Sequence, residues 1–177
     1  MAQRLGTTVH CSPLRFRLAR LRERHPAATA GCLEDWLVDV ANARGARVVC
    51  RLERPDPDFS PPSDQELPNE ELIVGICQLQ ALDRPQMLRL AAQLISRRAA
   101  VPERLALAAE RERAGRVLAE LARQALRVDP EHALWRYLAE RFGRMPPLRD
   151  TLLHWTRLAE PVPGAGHVNA ASWRLVA

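Results

Sequence analysis

Lysine is absent: all 26 basic residues of the chain are arginine. Together with abundant alanine, this matches the codon bias of a GC-rich genome, so arginine content alone does not signal nucleic-acid binding. Glycine is scarce as well, at eight scattered residues. No Gly-x-Gly-x-x-Gly, phosphate loop or Gly-x-Ser-x-Gly elbow occurs, which removes the common nucleotide-binding and α/β-hydrolase chemistries and leaves no cofactor expected. Long apolar runs are missing too. The longest, Leu72-Ile73-Val74-Gly75-Ile76-Cys77, is far short of the ~20 residues a membrane-spanning helix needs. The N-terminal segment lacks the apolar stretch of a secretory signal. Four cysteines (Cys11, Cys32, Cys50 and Cys77) include no Cys-x-x-Cys pair. A zinc ribbon or redox couple therefore has no basis, and reduced, partly buried thiols in a soluble cytoplasmic protein are expected.

What is present suits a globular fold. Of 177 residues, 47% are hydrophobic and 27% charged, and a chain of that size buries roughly 70% of its unfolded surface. One domain over residues 1–177 is expected, with a proline-rich loop at 54–68. The charge is uneven. Residues 1–30 hold six arginines (Arg4, Arg15, Arg17, Arg20, Arg22, Arg24) against Glu23, which accounts for the whole formal net charge of +5.

The periodicities predict a mainly α fold, an irregular bundle of about five to six helices. Ser12-Pro13 is a capping hydroxyl followed by proline at the first helical position. Leu14, Leu18 and Leu21 then share a face, and His25-Pro26 ends the run. Leu33, Trp36, Leu37 and Val40 recur at helical spacing, with Gly45 as a C-terminal cap. The β-branched stretch 47–52 reads as a strand. Five prolines make 54–68 a loop. From Asn69 the chain turns helical again, and 72–79 is apolar nearly all round, which predicts burial. Further helices are predicted from Asp83 to about Arg98, from Pro102 to about Val128, and from Asp129-Pro130 to Gly143. In the long 102–128 helix, Leu107, Ala114, Leu118, Leu121 and Ala125 form the inward stripe. Glu110-Arg111-Glu112-Arg113 reads as its solvated face, with Glu112 paired to Arg116. Beyond residue 147 the pattern fits a short helix followed by a hairpin, which could form a small sheet with 47–52.

Three groups of residues invite chemistry. Arg15, Arg17, Arg20, Arg22 and Arg24 on one short amphipathic helix suit phosphate or carboxylate binding through charge and bidentate hydrogen bonds. Phe16 is the aromatic available there for stacking. The competing reading is internal: the segment 53–71 offers Glu53, Asp56, Asp58, Asp64, Glu66, Glu70 and Glu71 as partners within the chain. His10, Cys11, His25 and Cys32 are the second group, but their intervals fit no common zinc finger, so no metal site is expected. Trp173, near the C-terminus, is a candidate interface anchor, or else docks the tail onto the domain.

The third group is Arg149-Asp150-Thr151-Leu152-Leu153-His154. Its Arg-x4-His spacing, with a polar residue after the arginine, resembles the motif of HEPN-type ribonucleases. That resemblance implies an all-helical, often dimeric, metal-independent ribonuclease in which Arg149 and His154 act on the RNA phosphate. Histidine can move a proton near neutral pH while arginine stabilises phosphoryl charge. The ordinary alternative is a local pair between Asp150 and His154 on one helix face. The sequence thus favours a non-enzymatic binding or adaptor protein that presents its arginine-rich N-terminal face to an acidic protein or nucleic acid, with the ribonuclease as the alternative.

Overall fold

The computed structural model describes residues 12–27, 30–46, 57–78, 85–97 and 99–148. Among them the chain forms seven helices and no strand: α1 (Pro13–Arg24), α2 (Leu33–Ala43), α3 (Asn69–Gln78), α4 (Pro85–Ser96), α5 (Pro102–Arg111), α6 (Gly115–Ala125) and α7 (Ala133–Phe142). The strand expected at 47–52 and the helix or hairpin expected after 148 lie outside the described residues.

Three helix ends show a clear local device. Ser12 caps α1: its Oγ accepts the Arg15 N–H at 3.1 Å, and Pro13 fills the first helical position. Gly45 ends α2. At φ +90° it lets the Ala46 N–H reach the Ala41 carbonyl (3.0 Å) and its own N–H reach Asn42 (2.9 Å), the paired bonds of a Schellman cap. α7 begins later than expected. Instead of Asp129-Pro130, the cap is His132, a buried residue whose Nδ1 accepts the Trp135 N–H at 3.3 Å. The lone pair on that nitrogen places the ring proton on Nε2, which donates to the Ser96 carbonyl at 3.1 Å.

The expected long helix over 102–128 is two helices. α5 stops at Arg111 and Arg113 takes a left-handed φ of 59°, a conformation that costs a non-glycine residue about 1–2 kcal/mol. The break resets the helical phase. Leu107, expected in the core stripe, is 64% exposed, while Leu105, Ala106, Ala108 and Ala109 turn inward. After the break the expected register holds, with Ala114, Leu118, Leu121 and Ala125 buried.

The described helices share one core, with α3 at its centre. Leu72 to Cys77 are buried all round, as the sequence implied, and α3 packs against α1, α2, α4 and α5. Consecutive helices α3 with α4, and α6 with α7, pack most extensively. Two glycines permit close approaches between helices. A Cβ on Gly75 would sit 2.7 Å from Leu18 Cδ1, so α1 lies directly on α3 there. A Cβ on Gly115 would sit 2.9 Å from the Phe142 ring, which fixes α6 against α7.

Candidate functional site

Because Leu14, Leu18 and Leu21 face the core, the helical repeat sorts the arginines of α1 into three groups. Arg17 and Arg24, seven residues apart, share one flank. Arg15 and Arg22, also seven apart, share the other. Phe16, Arg20 and Glu23 point furthest from the core.

The flank carrying Arg17 and Arg24 meets the connector 57–68 and the first turn of α3. Arg17 Nη1 forms an ion pair with Glu71, and its Nη2 donates to the Glu66 carbonyl. Arg24 Nη1 lies 3.4 Å from Glu66 Oε1, which His25 Nε2 also approaches at 3.4 Å. Glu66 is held below the usual carboxylate range, first by the Ser63 N–H and then by His25. Glu71 is shared: Arg111 Nη2 stands 3.7 Å from its other oxygen. On the opposite flank, Arg22 donates to the carbonyls of Ala30 (3.0 Å) and Gly31 (3.1 Å), tying α1 to the turn before α2.

Other groups of the connector are also engaged. Arg44 donates to Asn69 (2.7 Å) and to the carbonyls of Pro62 (3.2 Å) and Ser63 (3.4 Å), and lies 3.4 Å from Asp64. Desolvation lowers its pKa, opposed by the Asp64 charge. Buried Glu70 accepts the Val101 N–H at 2.7 Å. Within the described part of the acidic segment, Glu66 and Glu71 thus take up part of the charge of α1, in line with the internal reading of the sequence.

Among the described residues, three side chains of the face remain open. Arg15 and Arg20 are exposed and, among the described residues, have no ion-pair partner. Phe16 is 64% exposed. Two guanidinium groups thus flank one aromatic ring on a convex helix surface.

The N-terminus of α1 rests on a group that sequence reasoning placed elsewhere. Glu112, expected in a solvated run and paired to Arg116, is 2% exposed. Its carboxylate accepts from Ser12 Oγ (2.6 Å), Gln78 Nε2 (2.9 Å), the Leu14 N–H (3.3 Å) and Arg111 Nε (3.3 Å). Burial pushes this carboxyl upward, but the four donors outweigh it and hold it below its ordinary value. Arg116 instead donates to the carbonyls of Pro146 and Pro147. Glu110 pairs with Arg141 of α7, at 2.7 Å to Nε. The signal lay in the spacing: Glu112 is three, four and seven residues beyond Ala109, Ala108 and Leu105, the buried face of α5, whereas a register set on Leu107 placed it outside.

Arg149, His154 and Trp173 lie outside the described residues, as do His10 and Cys11. Among the described residues no three potential ligands converge as for a metal ion. His25 is turned to Ser60 and Glu66, with Nδ1 3.1 Å from the Ser60 carbonyl. Cys77 is buried, and its thiol is pushed up to about 12 by desolvation alone. Cys32, half-buried, is also raised, chiefly by desolvation. Neither is an activated nucleophile. No described helix is long and apolar enough to cross a membrane.

Together these features define a mainly helical protein with a partly neutralised basic helix on its surface. No known protein family, curated protein or solved structure matches the chain.

Proposed function

We propose that the chain is a non-enzymatic binding or adaptor protein whose α1 face holds single-stranded nucleic acid through Arg15, Phe16 and Arg20. The observation that carries this reading is the exposed Phe16 ring with an open arginine on either side. A base can stack on the ring while guanidinium groups take the adjoining phosphates. An acidic protein fits this surface less well. A stable protein interface buries about 800 Å² per partner around an apolar centre, and the outward face of α1 offers one large apolar side chain on a convex surface. A flexible strand can follow such a surface.

Fluorescence anisotropy with a labelled single-stranded oligonucleotide tests this reading. Two phosphate contacts predict a log–log salt slope of about −1.4. Arg15→Glu with Arg20→Glu should abolish binding, and Phe16→Ala should weaken it by roughly tenfold. Binding that ignores the charge reversals, or binding of an acidic protein but no oligonucleotide, would remove this reading. The ribonuclease alternative gains no support from the described residues. Its test is RNA cleavage lost in His154→Ala.

A further inference from the structure

We infer that Glu66 and Glu71 act as a built-in competitor for the polyanion on α1: their pairing with Arg24 and Arg17 withholds half of the exposed guanidinium groups from an incoming phosphate chain. The inference rests on the nucleic-acid reading above and adds how that face is regulated.

Four arginines of α1 have exposed side chains: Arg15, Arg17, Arg20 and Arg24. Arg15 and Arg20 are open, whereas Arg17 and Arg24 are matched to carboxylates from outside the helix. The matching is partial. The side chains of Arg17 and Arg24 keep 43% and 61% of their exposure, so solvent and ligand can still reach them. Exposed pairs of this kind are weak, so they lower the affinity for a phosphate chain without forbidding its approach. Arg22 differs because its two bonds are to backbone carbonyls of the turn before α2, which makes it a strut.

The acids are held in place by other contacts. Glu66 Oε2 accepts from the Ser63 N–H and Oγ, both at 3.1 Å. Glu71 sits in the first turn of α3, where the helix dipole favours a negative charge, with Arg111 on its far side. The competitor is therefore positioned whether or not the arginines occupy it. A ligand must offer more than one carboxylate's attraction per arginine. A chain of phosphates does so through counterion release, and an isolated anion does not.

The test is a set of salt titrations with the same oligonucleotide, using the full chain. Glu66→Gln with Glu71→Gln keeps the side-chain shape and leaves an amide oxygen to accept from Ser63, but removes the charges that hold Arg17 and Arg24. This variant should bind roughly fivefold tighter, with a salt slope steeper by about 1.4, two additional phosphates at about 0.7 each. Adding Arg17→Ala and Arg24→Ala in that background should return the slope to its original value. Glu131→Gln with Glu140→Gln makes the same charge change next to and on α7, which packs on α4, α5 and α6, and should leave the slope at the wild-type value. Circular dichroism melts confirm that each variant is folded. If the Glu66/Glu71 variant keeps the wild-type slope while Arg15→Glu with Arg20→Glu still abolishes binding, the competitor is wrong and the face stands. An equal gain from the remote pair would reduce the effect to overall charge and overturn the inference. Loss of oligonucleotide binding in every variant, wild type included, would instead remove the underlying reading.

Discussion

At the scale of single residues, Glu112 is the polar group on which most depends. It is fully desolvated yet receives four donors from three places in the chain. An ionised carboxylate is stable there because each lone-pair direction meets an N–H or O–H. Its depressed pKa carries a definite sign. The group contributes stability above the ordinary glutamate value, and that contribution is lost as pH falls through the depressed folded value. Replacing Glu112 by Gln should therefore cost about 1–3 kcal/mol near neutral pH, because an amide nitrogen must face donors. The difference from wild type should shrink as the pH is lowered below the ordinary carboxyl range. Urea midpoints across an acid titration will read this. A constant difference down to the acid limit would mean that Glu112 is not the titrating group. Ser12→Ala removes both the cap and one of the four donors, and should cost about 1 kcal/mol at neutral pH.

At the scale of elements, the turn between α5 and α6 determines what the sequence pattern could not. Residues 102–128 read as one helix because apolar spacing continues across the junction. Arg113 interrupts it at φ 59°, and Gly115 then presses on Phe142. Two substitutions there should act in opposite directions. Arg113→Gly relieves the left-handed conformation and should stabilise by about 0.5–1 kcal/mol. Gly115→Ala drives a methyl into a packed ring and should destabilise by about 1–3 kcal/mol. Thermal melts followed by circular dichroism distinguish them. If the junction were a regular helix in solution, the glycine at 113 would destabilise instead.

At the scale of the whole molecule, α1 is both a structural part and the proposed binding surface, and different residues serve each role. Its attachment is apolar: Leu18 is 1% exposed and lies on Gly75 of the central helix. Leu18→Ala should cost about 2–5 kcal/mol in unfolding free energy. Arg24→Ala, which removes a half-exposed pair, should change stability by less than about 0.5 kcal/mol. Chemical denaturation of the two variants side by side makes the comparison. A larger loss for Arg24 than for Leu18 would mean that charge, not burial, holds α1 in place. The expected ranking leaves the arginines free to vary their partners without unfolding the bundle.

Helix identity was legible in the sequence wherever one periodicity and one cap agreed. Ser12-Pro13, the Leu14/Leu18/Leu21 stripe, the Gly45 cap and the buried run 72–77 all follow from local stereochemistry and spacing, which act within a few residues. The uneven charge was legible for the same reason, since composition needs no fold. Three features required the tertiary structure: the break at Arg113, the gathering of Ser12, Leu14 and Gln78 on Glu112, and the assignment of Arg17 and Arg24 to Glu71 and Glu66. The Ser12–Glu112 contact and the two ion pairs join residues 42 to 100 positions apart across packed elements. A left-handed residue is tolerated, and a carboxylate chooses one arginine over another, because burial elsewhere has already fixed the distances. Periodicity along the chain carries no information about those distances.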